Sequence, residues 1–561
     1  MLHKWMAFVL SDKFKALVNT SFLRLLCFFF ASHSPTTSVH VTSTQALPGC
    51  PGLDKLKDNR SQCLYIGSYS PCLSQGYVNY LHLYCCLCGS YPPLACAVLA
   101  LWLLVLFYLL GSTASQYLCS SVENFSRVLK LSPAVAGATL LSLGNGSPDV
   151  LASIVSCSFG SGELGLRSVL GGAFFDYCVF VGVINFCSPS SSRSVRIDRS
   201  CFVRDACFFI VVLSSLLVIL LVGRITIWGA MAFASLHLVY ASVVSVTHFY
   251  RQKYDDLAMP ILEKDKLDEP ATTLEKEEEE EEEEEADGQD SSTYCWLQAM
   301  TWLCLKLLLY LIDMPLDLPR RLTIPDVSEQ RWSGMYAVSS ATLAPIFVTA
   351  LCSSERRGIG SHDGFTIFLY GIPVGVVSGL LALHSTMKES PPRKGTYPWL
   401  ARGFLMSVLW TYIVAEELVG LLVSLDPFLA VNPAIPGLTV LAWGNSIGDL
   451  MSNVAMAMSG GRDGAQVAIS GCYPGPILNA VAGLGLSLVV SGWVLHPDSF
   501  VIPLGIAVLE ILGFMSGGLL SALVTLARKD MKLDRVVGVG LLLVYLCFLS
   551  LRLSQSLGLV V

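Results

Sequence analysis

This sequence predicts an all-α polytopic membrane protein of about 12 spans, built from two inverted five-helix repeats with an inserted helix pair. Three observations predict it. The first is composition: of 561 residues, 53% are hydrophobic and 14% charged, with a mean hydropathy of +0.60. Soluble domains carry about 25% charged residues. The second is a series of apolar runs long enough to cross roughly 30 Å of hydrocarbon, where helices and closed barrels alone satisfy the backbone. The third is an internal repeat 300 positions apart. LSPAVAGATLLSLGNGSPDV (131–150) and VNPAIPGLTVLAWGNSIGDL (431–450) share 8 of 20 positions without a gap.

The N-terminal residues come first. Residues 16–31 form a short apolar run behind Lys13 and Lys15, broken by Arg24. Segment 1–31 reads as a signal peptide or a signal anchor. Six of the 19 cysteines then fall in a lead-in segment, 32–93: Cys50, Cys63, Cys72, Cys85, Cys86 and Cys88. Cys85-Cys86-x-Cys88 could ligate zinc, but no histidine pattern of zinc-site spacing accompanies it. Disulfides in an oxidising compartment are the favoured reading, and Asn59-Arg60-Ser61 is a glycosylation sequon in the same stretch.

Spans follow near 94–115, 134–156, 165–186, 205–223 and 226–249, forming the first five-helix half, 94–249. Its first repeat covers 131–186. Segment 250–333 reads as a cytosolic acidic loop. Its low-complexity part, 250–295, contains nine consecutive glutamates, Glu277–Glu285. Residues 263–290 hold 16 acidic residues against Lys264, Lys266 and Lys276. That local −13 accounts for the whole net charge of −7 and leaves the remainder at +6. The low pI therefore belongs to one loop, and no nucleic-acid partner is expected. Like-charge repulsion with little apolar surface keeps such a run from folding. It lacks the spaced ligands and glycine of an EF-hand. The stretch 296–314 carries Lys306 and Asp313 and reads as an interfacial helix.

The inserted pair, 334–384, has spans near 334–352 and 364–384. Gly371, Gly375 and Gly379 suit close helix packing there. The second half, 398–555, has spans near 398–424, 433–457, 466–490, 500–524 and 537–555, with its repeat at 431–490. Lys and Arg concentrate in alternate loops: Arg127 and Lys130; Arg193, Arg196, Arg199 and Arg204; Lys388, Arg393 and Lys394; Arg528, Lys529, Lys532 and Arg535. The positive-inside rule makes those loops cytosolic and the lead-in non-cytosolic. Seven crossings then separate the starting points of the two motif spans, an odd number, so the repeats are inverted.

Each repeat places an aspartate at bilayer depth, Asp149 and Asp449, four residues after Asn145 and Asn445. An intramembrane carboxylate costs roughly 2.5–3.5 kcal/mol on insertion scales and marks a functional site. Asn and Asp four apart share one helix face. Pro148 and the motif glycines weaken the helical ladder and allow the backbone to open. Matching Gly/Pro-interrupted segments in two halves point to the binding site of a secondary transporter. Carboxylate and amide oxygens suit hard cations. Neither motif holds Cys or His, which argues against zinc or copper. A second helix follows each motif, GGAFFDYCVFVG (171–182) and GCYPGPILNAVAG (471–483). Aligning Gly172 with Gly475 sets Asp176 opposite Asn479, and both become candidate ligands. Glu416 and Glu417 lie within the span 398–424, lining a cavity or sitting at the interface. His237 and His384 read as buried or interfacial histidines.

These residues resemble the α-repeats of the calcium/cation antiporter superfamily, whose motifs have the form GNGxPD and GNSxGD. Within it they are similar to the cation/calcium exchanger branch, which includes the mitochondrial sodium/calcium exchanger. The lead-in CLYIGSYSPCLSQGYVNYLHLYCC (63–86) and LWLLVLFYLLGSTASQYLC (101–119) resemble the plant cation/calcium exchangers. The resemblance covers about 50–250 and 300–555. It implies ion ligation by Asn145, Asp149, Asn445 and Asp449, with Asp176 and Asn479 from the second helices, and alternating access between ten core helices. Two positions depart from the expected pattern. Asp176 stands where such relatives tend to be apolar or small, and Tyr473-Pro474 replaces a small-residue stretch.

The expected function is a cation antiporter, exchanging cytosolic Ca²⁺ or a monovalent cation (K⁺ or Na⁺) against H⁺, Na⁺ or K⁺. It is expected to be no enzyme and to need no cofactor, its partners being inorganic cations and the bilayer of an endomembrane (vacuolar) or plasma membrane. One rival is a cation channel. Another is an intramembrane aspartyl protease using Asp149 and Asp449, whose carboxyls would share a proton; Ser446-Ile447-Gly448-Asp449 lacks the Gly-x-Gly-Asp pattern of such enzymes.

Overall fold

The computed structural model describes residues 59–68, 77–87, 92–129, 142–158, 162–187, 195–265, 316–327, 331–357, 362–386, 396–429, 437–459, 468–469, 472–494, 498–502 and 505–556. Segment 1–31, expected to be a signal peptide or signal anchor, most of the acidic loop and the 296–314 stretch lie outside them. Ten helices among the described residues are long and apolar enough to cross a membrane. The two motif helices, Ser142–Ser158 and Ala442–Ser459, are not among the ten. The chain is an integral, multi-pass, all-α membrane protein.

A short helix α1 (Asn59–Ser68) precedes the first long one, α2 (Pro92–Thr113). The α2 helix continues through a π-helical turn, Ala114–Cys119, into Ser120–Val128. The first motif lies on α3 (Ser142–Ser158). Its companion α4 runs Gly162–Phe175, passes through a π-helical turn at Asp176–Phe180, and ends as Val181–Cys187. Two spans complete this half, α5 (Arg199–Val222) and α6 (Ile227–Asp265). Asp198 caps α5, its carboxylate accepting from the Ser200 amide at 3.0 Å and the Cys201 amide at 3.5 Å. Gly223 closes that helix with φ of 71°, a conformation that suits a residue without Cβ.

The α6 helix corrects one expectation. The acidic loop was expected to begin at 250, yet helix continues to Asp265. Residues 250–262 contain mixed charges with Leu257 and Leu262, and the acid-dense stretch begins only at 263. The like-charge argument therefore has no force before that point.

Two compact units divide the chain, one of Met1–His40 with Val246–Arg402 and one of Val41–Ser245 with Gly403–Val561. The first contains the helix pair α7 (Gly334–Arg357) and α8 (His362–Ser385). Its glycines permit close packing: a Cβ on Gly371 would lie 1.9 Å from Thr349 Oγ1, and one on Gly379 would lie 2.1 Å from Thr342 Oγ1. Much of α8 faces outward, with Val374, Val376, Val377, Leu380 and Leu381 exposed. In a bilayer those side chains meet lipid.

The second unit contains both repeats. After α9 (Thr396–Leu429), a π-helical turn at Gly437–Leu441 leads into the second motif helix α10 (Ala442–Ser459). Next comes α11 (Pro474–Val494), with a π-helical turn at Asn479–Gly483. The chain ends with α12 (Ile506–Arg528) and α13 (Arg535–Ser556). Helix α4 is the most enclosed span, with 83% of its membrane-length window buried. Phe174 stacks edge-on against Tyr545 and Phe548 at 5.2 Å each. The Tyr177 hydroxyl donates to the Met515 carbonyl at 3.0 Å. These contacts fix α4 against α12 and α13 on either side of Asp176.

Two short antiparallel ladders tie the halves together. Strand β1 (Val195–Arg196) pairs with β4 (Lys532–Leu533), and β2 (Arg224–Ile225) with β3 (Phe500–Val501). Segments joined by backbone hydrogen bonds outside the bilayer lie on the same side of it, so an even number of crossings separates them. Among the described residues, six helices, α6 to α11, lie between β2 and β3, and eight, α5 to α12, between β1 and β4. Both counts are even. The first ladder joins two basic loops that the charge rule puts on one side, and the second joins two poorly basic ones.

A disulfide joins Cys63 to Cys86, 23 positions apart, across the lead-in. Cys85 and Cys96 are free, and Cys50, Cys72 and Cys88 lie outside the described residues. The loop docks on α9. The Tyr80 hydroxyl donates to Glu417 at 2.5 Å, the Tyr77 amide donates to the other carboxylate oxygen, and Trp102 Nε1 donates to Tyr80 at 2.9 Å. Glu417 is therefore a carboxylate whose two oxygens are both held by the lead-in. A buried carboxylate needs such donors.

Candidate functional site

Helix α3 runs unbroken through Gly144–Asp149 with Pro148 inside it, and α10 runs unbroken through Gly444–Asp449. The expected opening of the backbone at the motifs is absent from both. The ladder loosens instead on the neighbouring helices. Their π-helical turns begin at Asp176 on α4 and at Asn479 on α11. These are the residues that the Gly172/Gly475 alignment sets opposite each other. Single π turns inside α-helices recur at functional sites, because the extra residue frees backbone and redirects side chains.

Asp149 sits at the centre. It is 6% exposed, and both of its oxygens accept amide hydrogen bonds from the other half. Asn445 Nδ2 donates to Oδ1 at 2.8 Å, and Asn479 Nδ2 donates to Oδ2 at 2.8 Å. Residues 296 and 330 positions away thus meet one carboxylate. This orientation turns both amide oxygens away from Asp149. Asn445 Oδ1 and Asn479 Oδ1 are buried without a hydrogen-bond partner, as are Ser446 Oγ and Asp176 Oδ1. Of these four oxygens, from three helices, the Ser446 hydroxyl can donate to one neighbour, which leaves at least two acceptors unmet. Unpaired buried acceptors are costly in apolar surroundings, and a hard cation satisfies several at once.

Glycines let the helices approach this closely. A Cβ on Gly146 would lie 2.0 Å from Asn479 Oδ1, so only glycine admits that amide. Gly172 of α4 faces both Asp149 oxygens and Ser446 Oγ, with a virtual Cβ 3.6–3.9 Å from them. A Cβ on Gly444 would strike the Phe107 ring at 2.1 Å. One turn beyond Asp149, Ser153 Oγ and Ser487 Oγ share a hydrogen bond of 2.9 Å, joining α3 to α11.

Of the six residues expected from sequence, the structure brings Asp149, Asn445, Asn479 and Asp176 together. Asp449 lies on the same helix as Asn445, is partly exposed, and acts electrostatically on both Asp149 and Asp176. The Asn145 side chain lies outside what the structure describes. Ser446 was not anticipated. It aligns with Gly146, so comparing the repeats for shared residues conceals it. Among the described residues, no three His, Cys, Asp or Glu side chains converge on one metal position. The donor set is therefore mostly neutral oxygen, backed by separated carboxylates. Tyr473 is buried against Phe202, ring centroids 5.1 Å apart, and its hydroxyl has no partner.

The sodium/calcium exchanger protein family matches residues 99–246 and 399–554, which take in both repeats. The chain belongs to that family. It is 43% identical to cation/calcium exchanger 1 of Arabidopsis thaliana, over 98% of this chain and 97% of the relative. It is 42% identical to cation/calcium exchanger 2 of the same plant, over 98% of each. The mitochondrial sodium/calcium exchanger protein of Homo sapiens is 29% identical, over 89% of this chain and 88% of the relative. Among solved structures, the H⁺/Ca²⁺ exchanger CAX covers 89% of this chain and 93% of its own at 15% identity, with a TM-score of 0.40. That likeness is too loose to carry an argument about the site.

Proposed function

We propose that this member of the family is a secondary active antiporter that moves Ca²⁺ from the cytosol in exchange for a monovalent cation, by alternating access. One observation carries the reading. Asp149 of the first repeat is bridged to Asn445 and Asn479 of the second, and oxygens from both repeats face the same polar centre. An ion bound there touches both halves, so rocking one half against the other exposes it to alternate sides. The names of the relatives make Ca²⁺ the first substrate to test and Na⁺ the first counter-ion, with H⁺ tested alongside. K⁺ remains a counter-ion to test beside them.

Each residue has a role in this reading. Asp149 and Asp449 balance the charge of a divalent ion. Asn445, Asn479 and Ser446 supply neutral oxygens, and Asp176 supplies a further anionic one. Asn145 is the first repeat's counterpart of Asn445. The Cys63–Cys86 disulfide supports a non-cytosolic lead-in, in which Asn59 would be a glycosylation acceptor. The membrane is an endomembrane or the plasma membrane. A protease reading fits less well, because Asp149 gives both oxygens to amides and, among the described residues, has no hydrogen bond to a second carboxyl.

The test is Ca²⁺ flux in proteoliposomes with Na⁺, K⁺ and H⁺ gradients imposed one at a time. Uphill Ca²⁺ movement driven by one of these gradients is the expected result. Ca²⁺ flux that only ever runs down its own gradient would make the protein a channel.

A further inference from the structure

Helices α12 and α13 leave an open groove of about 700 Å³ between them, away from the cation site. Glu510, Gly513, Gly517 and Ser521 of α12 line one wall, and Leu543 and Val544 of α13 line the other. Leu543 is 53% exposed, so the groove opens sideways into the bilayer. Glycines carve it: a Cβ on Gly513 or on Gly517 would meet no atom within 4 Å. Gly518 behaves in the opposite way, since a Cβ there would lie 2.4 Å from the Tyr177 hydroxyl of α4. That close approach, with the Tyr177 bond to the Met515 carbonyl, seats α12 firmly on α4. The helix is held from behind while its lipid-facing side stays bare, so the groove is preformed.

One end of the groove is polar. Glu510, about one turn into α12, accepts from Arg552 Nη1 and from Gln555 Nε2 at 2.9 Å, both on α13. Arg552 balances its charge, as a carboxylate at membrane depth requires. The Glu510 side chain stays 21% exposed, and a carboxylate has room for donors beyond these two. Glu510 and Ser521 lie about three turns apart on α12, or about 16 Å along its axis. The groove therefore descends about half of the roughly 30 Å hydrocarbon core, starting from the helix end opposite the basic turn of Arg528, Lys529, Lys532 and Arg535.

We infer that this groove binds a membrane sterol, which lies along the glycine wall with its hydroxyl donating to Glu510. Three features select that chemistry over a phospholipid. A sterol is one leaflet deep, as the groove is. Its rigid fused rings cover bare glycines at little entropic cost, whereas a flexible acyl chain must be ordered to do so. Its single hydroxyl supplies the donor that a charge-balanced carboxylate accepts. A phosphodiester only accepts, and its negative charge is repelled by Glu510.

The test is photolabelling of the purified full chain in phosphatidylcholine vesicles containing a diazirine-bearing cholesterol, followed by peptide mapping. Label should concentrate on 510–521 and 543–547 and fall when unmodified cholesterol is added in excess. Gly513→Leu and Gly517→Leu should each lower groove labelling by about tenfold or more, because an isobutyl group then fills the floor. Both changes enter open space and raise helix propensity. Cholesterol methyl ether keeps the rings but loses the donor, and should compete about fivefold less well. Label spread evenly over the lipid-facing helices, or label that cholesterol does not displace, would overturn the proposal. So would groove labelling that persists in both glycine variants. A diazirine-bearing phosphatidylcholine that labels the groove and resists displacement by cholesterol would make the occupant a phospholipid instead. Equal competition by the ether would overturn the role of Glu510. The wild-type competition decides the site even if neither glycine variant folds.

Discussion

The two repeats carry the same motif in different surroundings. In the first, Asp149 is buried and takes two amide hydrogen bonds from the second repeat. In the second, Asp449 is partly exposed, and its backbone carbonyl accepts from Asn453 Nδ2 at 2.9 Å. The companion helices differ as well. Each has a π-helical turn at the matching place, yet the first begins it with a carboxylate, Asp176, and the second with an amide, Asn479. The first repeat therefore concentrates negative charge and the second supplies neutral donors and acceptors. A duplicated scaffold has kept its geometry while dividing its chemistry.

The strongest way to break this comparison is to remove the charge from each motif in turn. Asp149→Asn should reduce Ca²⁺ flux by roughly 100-fold or more, because two charge-assisted hydrogen bonds and an ion-balancing charge are lost together. Asp449→Asn should also abolish net exchange, with smaller damage to protein stability, since less of its environment depends on the carboxylate. Flux in proteoliposomes and thermal unfolding of the same preparations separate the two effects. Wild-type flux in either variant would show that the motifs do not form one site.

Exchanging the companion residues sharpens the division of roles. Asn479→Asp puts a carboxylate where an amide donates to Asp149 at 2.8 Å, so two like charges would meet. It should cost more flux than Asp176→Asn. Restoring the charge count with the double variant Asp176→Asn/Asn479→Asp should not rescue it. Rescue would mean that total charge alone matters and that the amide bridge is incidental.

Glycines offer a finer comparison. Gly146→Ala drives a methyl group to 2.0 Å from Asn479 Oδ1, whereas Gly172→Ala meets its nearest atoms at 3.6–3.9 Å. The first should weaken apparent Ca²⁺ affinity by about tenfold or more, as one ligand and its hydrogen bond to Asp149 are displaced. The second should have an effect of about threefold or less. Concentration-dependent uptake gives both numbers, and the reverse order would refute the side-chain placement.

What was legible in the sequence follows from what a repeat can reveal. Shared residues at fixed spacing exposed Asn145, Asp149, Asn445 and Asp449, and apolar run length located the spans. Asp176 and Asn479 were reachable only through the small Gly172/Gly475 match. Contacts made by unshared residues were not visible. Ser446 pairs with a glycine in the other repeat, and a lone serine in an apolar helix carries no signal of its own. The bond from Tyr80 to Glu417 joins residues 337 apart, so no local pattern announces it. The unbroken motif helices were also missed, because Gly and Pro lower helix propensity while tertiary packing overrides that preference.

The same limits bear on the side of the membrane each loop occupies. Cysteine-accessibility labelling should place 50–90 and 425–432 on the non-cytosolic side, and 255–290, 300–330 and 385–395 all in the cytosol. The two ladders require only that their paired segments share a side. Finding 300–330 and 385–395 on opposite sides would break the inversion of the repeats, and the comparison of Asp149 with Asp449 would lose its symmetry.

The smallest effect is expected from the acidic loop, which belongs to neither repeat. Deleting 263–290 removes a net charge of −13 and none of the site residues, so maximal Ca²⁺ flux should stay largely intact. The loop can still enrich cations near a cytosolic entrance. That field is screened beyond roughly 8 Å at physiological ionic strength. Any loss of apparent affinity in the deletion should therefore be greatest in dilute buffer and shrink as salt is raised. A loss of flux at every salt concentration, in protein that has reached its membrane, would make the loop part of the transport cycle, and the division of labour would then extend beyond the two repeats.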